Sequence, residues 1–203
     1  MRTEWSHEPI SSSFSSVFVP FRAPGDLLHL LQFNRDRGRD YLGSVSGFVS
    51  KHKGKSLVLE SPAGATLTIG DLSDTIYRDK RNEVNGWGKF YLPKEVSMQV
   101  VGVVEETSCP CDQLVLMTCE DRKLYAYDGE ELHEVASSLK QLGEKRIEYP
   151  ASTSYYNGEA FKDMTEKDWV KVREGAVGKS LDQAHHKLVT AQKSRFLQNL
   201  KIK

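Results

Sequence analysis

The chain has 203 residues, 28 basic and 28 acidic side chains, a formal net charge of zero and 38% hydrophobic residues. That length can bury one core with an appendage, and the balanced charge excludes a polyanion binder that is basic throughout. The longest apolar runs, such as Val100–Val104, have the length of a strand, far short of the ~20 residues of a membrane span.

In chain order, residues 1–23 are serine-rich and predict an N-terminal arm, whose Phe14, Val17, Phe18, Val19 and Phe21 can add a strand to the domain that follows. The N-terminus shows no basic stretch leading into an apolar one, so no secretory signal is expected. Pro24-Gly25-Asp26 breaks the chain, and Asp26 as N-cap predicts a short helix over Leu27–Phe33 before the charged loop from Arg35 to Asp40. From Tyr41 the apolar period is two, with Val45, Gly47 and Val49 alternating against serines, which predicts a strand. Lys53-Gly54 turns it into Leu57-Val58-Leu59, and Pro62-Ala63-Gly64 turns it again into Leu67-Thr68-Ile69.

Extended pieces are expected around Thr75–Tyr77 and Lys89–Leu92, either side of a polar connection from Arg78 to Gly88. Val96–Val104, Gln113–Thr118 and Leu124–Tyr127 read as further strands. Glu130 and Glu131 then suit the first turn of a helix, and Leu132, Val135, Ala136, Leu139 and Leu142 recur at helical spacing up to Gly143. The expected fold is α+β: mainly an antiparallel barrel or sandwich of about seven strands closed by one helix, a domain over residues 24–143. Residues 144–203 form an extension. It has an aromatic loop, a helix capped by Thr165 with Asp168, interruptions at Gly175 and Gly178, and a second helix opened by a Ser180–Gln183 capping box and running to about Leu200.

The run Gln113–Thr118, Lys123–Tyr127, Glu130-Glu131 and the helix after it resembles the end of a pleckstrin-homology-like domain, where a last hairpin feeds a closing helix. The resemblance covers roughly residues 41–143, although the expected closing helix has no tryptophan and the first loop ends on lysine rather than arginine. It implies a non-enzymatic adaptor that binds a phosphoinositide or another polyanion between its first two strands, at Lys51, His52, Lys53 and Lys55. Arg78, Lys80 and Arg81 would join from the neighbouring rim.

A second surface is expected on the C-terminal helix. Between Lys179 and Lys203 six basic residues face a single acidic one, Asp182. Leu181, Leu188, Lys193, Arg195 and Phe196 would meet a protein partner or an anionic membrane. Two alternatives belong to other classes. One is an OB-like barrel stacking single-stranded nucleic acid on Phe48, Tyr77, Trp87, Phe90 and Tyr91; the other is an enzyme with a site on the aromatic loop Tyr149–Phe161.

The three cysteines are Cys109, Cys111 and Cys119. Their odd number and the missing signal predict reduced thiols in the cytoplasm, or in the nucleus or at a membrane periphery. Cys109-Pro110-Cys111 with Cys119 and His133 has the residue types of a zinc site, but lacks the two-residue spacing and the second pair. It reads as a turn, with a redox-sensitive pair as the other option. Gly175–Ser180 ends like a phosphate loop, but its first glycine is misplaced by one residue. No catalytic residue, metal or cofactor is assigned.

Overall fold

The computed structural model describes residues 19–20, 40–109, 111 and 113–200. The helix expected over Leu27–Phe33 lies outside these, as does most of the N-terminal arm. The chain divides into two units, Met1–Glu159 and Ala160–Lys203.

The first unit is built on one sheet with its strands in sequence order. β1 (Val19–Pro20) runs parallel to β2 (Lys55–Val58). From β2 onward every neighbour is antiparallel: β3 (Thr66–Ile69), β4 (Gln99–Glu105), β5 (Leu114–Thr118), β6 (Leu124–Tyr127), β7 (Glu131–Ala136) and β8 (Ser154–Tyr156). The expected meander of about seven antiparallel strands is therefore present, as an open sheet between two layers and not as a barrel.

Alternation along β5 shows why both faces are covered. Leu114 and Leu116 join one core with α1 (Tyr41–His52), α3 (Leu139–Gly143) and Val45, Leu67, Val101 and Val135. Val115 and Met117 join the other, with Tyr77, Trp87, Tyr91 and Leu92 from the long connection between β3 and β4. Successive side chains of a strand point to opposite faces, so a central strand buried on both sides must be apolar throughout, as β5 is.

Two expected elements are corrected. Residues 41–52 form the helix α1, not the first strand. Val45, Phe48, Val49 and His52 are its buried residues, and their spacing of three and four was hidden beneath the alternation of Val45 and Val49 with serines. Asp40 starts the helix by accepting the Gly43 N–H at 2.9 Å. Second, the closing helix over Glu130–Leu142 is mostly the strand β7, followed by the short α3. Asp128-Gly129 makes the hairpin turn: Gly129 has φ +100°, and the Asp128 carboxylate accepts the N–H groups of Glu130 at 3.0 Å and Glu131 at 2.8 Å. The helix on which the pleckstrin-homology resemblance rested is thus absent from that position.

Smaller differences follow the same logic. The polar connection contains α2 (Arg81–Trp87), and Thr75–Tyr77 and Lys89–Leu92 are turns and bends. In the second unit, α4 (Glu166–Glu174) starts at Thr165, where the expected capping box with Asp168 is formed. α5 (Ala176–Leu200) runs straight through Gly178 and Ser180, so those residues neither interrupt nor start a helix. No helix among the described residues is long and apolar enough to cross a membrane.

Candidate functional site

The predicted basic loop is not a hairpin tip but the exit from α1 into β2. Lys51 is exposed on the last turn of the helix, and His52 is buried beside the Phe48 ring at 4.5 Å. Lys53 lies between Asp71 and Asp74, at 2.8 Å and 2.9 Å. Lys55 is half-buried in β2. Of the second group, Arg78 contacts Asp79, and Lys80 contacts Glu83 and the face of Tyr77 at 4.8 Å. Arg81 is exposed at the start of α2. The seven residues therefore do not form one uncompensated positive surface, because acidic partners interleave with Lys53, Arg78 and Lys80.

The Lys53 ammonium, with the Ser73 hydroxyl, lowers the Asp71 carboxyl to about 2, and the Asp71 and Asp74 carboxylates in turn raise Lys53. A carboxyl depressed in the folded state adds stability above its ordinary value near 3.8, and that stability is lost as pH falls towards about 2. Denaturation midpoints followed down this range are expected to fall more gently for Asp71→Asn than for the parent. The effect should be small, since both charged heads are well exposed to solvent. An unchanged slope would show the contact to be energetically silent.

The aromatic residues named for stacking on bases lie elsewhere. Phe48, Tyr77, Trp87 and Tyr91 are buried, and only Phe90 of the five is exposed. Three of them pack around Tyr127: Tyr77 at 5.4 Å, Trp87 at 5.4 Å and Tyr91 at 5.8 Å between ring centres. They are core residues and do not present their faces to solvent. Beside Trp87 lies a cleft of about 870 Å³, bordered by Leu72, Val84, Val96 and Met98 with Asp79 and Lys89 at its rim. The Trp87 indole N–H is buried and meets no acceptor among the described residues.

The aromatic loop proposed for an enzyme contributes β8, where Tyr155 packs towards Tyr125 at 6.4 Å. A hollow of about 510 Å³ beside it is lined by Glu134, Gln141, Arg146, Glu148 and Ser152. Two of its acceptors are engaged in local turns, Glu148 by the Ser152 N–H and Gln141 by the Ser137 N–H.

A polar cluster that sequence reading did not assemble lies where the β4–β5 loop meets the β6–β7 turn. His133 Nε2 is 2.9 Å from Asp128 Oδ2, and the Tyr149 hydroxyl is 3.5 Å from the same oxygen. The His133 and Tyr149 rings meet edge to face at 5.2 Å. Burial, and after it the nearby Cys109 thiol, raise the Tyr149 hydroxyl above the ordinary tyrosine value. Burial disfavours the Asp128 carboxylate, but the Glu131 and Glu130 N–H groups, with His133, outweigh it and hold the group below the usual range. The sequence signal for this cluster was the Asp-Gly pair after a strand, which marks a hairpin; His133 pairs with Ala126, and Asp128, two residues further on, is its diagonal neighbour.

Cys119 is buried separately, with its thiol 3.0 Å from Asp121. Among the described residues no three His, Cys, Asp or Glu side chains are grouped as a metal site.

The residues expected to meet a partner lie in the second unit. Leu181, Leu188 and Lys193 are exposed on α5, and Trp169 and Val172 are exposed on α4. Arg195 and Phe196 belong to α5, but their side chains lie outside the described residues. Val177, Leu181, Ala184, Leu188 and Ala191 follow one another at alternating intervals of four and three, the spacing of a coiled-coil seam.

Comparison with known proteins gives viral relatives. Protein 005R of Frog virus 3 (isolate Goorha), titled uncharacterized, is 35% identical over 130 residues, 62% of this chain and 62% of its own length. The gene 87 protein of Gallid herpesvirus 2 is 28% identical over 125 residues, 61% of this chain and 70% of its own. FPV250 of Fowlpox virus is 29% identical over 80 residues, 39% of this chain and 57% of its own. The chain thus spans about three-fifths of the Frog virus 3 protein and a similar part of the fowlpox one. No solved structure matches. The sequence profile described as US22 like matches residues 39–146, from the cap of α1 to just beyond α3, which is over half of the chain. The chain belongs to the US22-like family.

Proposed function

We propose that this protein is a non-enzymatic binding module whose helix α5 takes an acidic amphipathic helix of a partner protein. The observation that carries this reading is the uncovered seam on α5. Val177, Leu181 and Leu188 are 74%, 65% and 61% exposed, and Ala184 and Ala191 continue the row. Apolar side chains at a coiled-coil repeat are ordinarily buried against another helix, because their removal from water drives the pairing.

The flanks of the seam select the partner. His185 and Lys187 flank it on either side, while Lys179, Asp182 and Lys193 lie towards the far face of the helix. A helix carrying glutamates beside its own apolar seam complements Lys187 and His185, whereas a second copy offers no acidic residue at its own flanks. A module of this kind would work in a reducing compartment such as the cytosol or nucleus, in keeping with its three free thiols.

The test uses the full chain and a synthetic helix with leucine at the seam and glutamate at its flanks. Binding should weaken with salt, and Leu181→Glu with Leu188→Glu should reduce it at least about tenfold, ~1.4 kcal/mol, without shifting the melting temperature of the β-rich unit. Unchanged binding in this variant would overturn the proposal. Flotation with anionic vesicles, or self-association in sedimentation, would replace the acidic helix by a membrane surface or a second copy.

A further inference from the structure

We propose that Cys109 and Cys111 form a reversible dithiol–disulfide site in the loop joining β4 to β5, oxidised by hydroperoxides and restored by small thiols. Their Sγ atoms are 3.0 Å apart, and both residues are half-buried, so a small oxidant can reach them. The third cysteine, Cys119, is fully buried at the end of β5 and held to Asp121, so it does not compete.

The surroundings give the pair a defined resting state. The Cys111 thiol donates to the Gln113 carbonyl at 2.9 Å, and the Cys109 N–H donates to the Thr107 hydroxyl at 3.3 Å. Gly129 closes against them from the β6–β7 turn: a side-chain carbon there would come 3.4 Å from the Cys111 Cβ. Burial and the adjoining Cys109 push the Cys111 thiol up to about 11, so Cys111 rests as a thiol at neutral pH. An isolated thiol of that kind reacts slowly. Here, any sulfur that does oxidise has its resolving partner already in contact.

The chemistry balances without a further reactant. One thiol sulfur attacks a peroxide oxygen, the O–O bond breaks, and the first water leaves with the second oxygen, giving a sulfenic acid. The other thiol sulfur attacks that sulfenic sulfur, the S–O bond breaks, and a second water leaves as the S–S bond forms. Two thiols are oxidised and hydrogen peroxide is reduced to two waters. Exchange with a small thiol such as glutathione reverses the oxidation. The disulfide removes the Cys111 S–H that donates to the Gln113 carbonyl, so oxidation changes how this loop is held.

The experiment treats the full chain with hydrogen peroxide, denatures it and counts the cysteines that take an alkyl label by intact mass. The reduced protein should take three labels and the oxidised protein one, with the mass lower by two hydrogens before labelling and three labels recovered after dithiothreitol. Cys119→Ser should keep the change, and Cys109→Ser and Cys111→Ser should each abolish it. Three labels after peroxide, a disulfide between two chains on a non-reducing gel, or added oxygen that dithiothreitol does not remove would each overturn the site. Since the three cysteine variants differ by one atom each, a melting curve for each separates loss of the disulfide from loss of the fold.

Discussion

Trp87→Ala is expected to lower the stability of the β-rich unit by about 3–5 kcal/mol, the cost of emptying a large aromatic site in a packed core. Trp87 is fully buried at the end of α2, edge-on to Tyr77 at 5.3 Å and 5.4 Å from Tyr127. These contacts hold the long connection between β3 and β4 onto the face of the sheet, so their loss should release that layer as well as open a cavity. Denaturant titration read by circular dichroism measures the change. Trp87→Phe should recover the larger part of it. Phenylalanine restores most of the volume, and the indole N–H it removes has no acceptor among the described residues. A loss below about 1 kcal/mol for the alanine variant would mean that the aromatic layer is not part of the cooperative core.

Gly102→Val is expected to be comparably damaging for the opposite reason, too many atoms. A side-chain carbon at this position in β4 would stand 2.2 Å from the Thr68 carbonyl oxygen and 3.0 Å from a Leu67 methyl, both on β3. The first obstacle is backbone in a paired strand, held by the registers Thr68 with Val103 and Ile69 with Gly102. It cannot rotate aside, so the two strands must part, at a cost of about 3 kcal/mol or more. Gly47→Ala in α1 is the matched control. An added carbon there meets nothing within 4 Å, and replacing a mid-helix glycine should be neutral or stabilising by about 0.5–1 kcal/mol. Thermal melts of the two variants against the parent test the contrast; equal effects would refute the close approach of β3 and β4.

The two misread elements have one physical cause. Short apolar runs satisfy more than one period: Val45 and Val49 belong to a spacing of two and to one of four, and Leu132, Val135 and Ala136 fit a helix face as well as a strand buried on both sides. What decided the first was the partner that α1 found, the sheet face carrying Leu67 and Val101. What decided the second was the turn chemistry of Asp128-Gly129, which was in the sequence but outweighed there by the helical spacing. The capping box at Thr165 and Asp168 was legible because it is wholly local. The second proposed box, at Ser180, failed because α5 was already under way.

The candidate sites divide along the same line. The α5 seam lies on one helix, so its apolar and basic residues could be listed from their order alone. Three facts needed the fold: the two carboxylates that neutralise Lys53, the burial of the aromatic residues, and the meeting of Tyr149 with Asp128 and His133. Each joins residues far apart in the chain or concerns accessibility to solvent. By itself the sequence determined a meander of about seven strands and a basic helical tail, because local periodicity and turn residues encode these. Only the tertiary structure decided which layers cover the sheet, which charges are already paired and which polar groups share a site. Those outcomes depend on contacts whose energies local sequence does not contain.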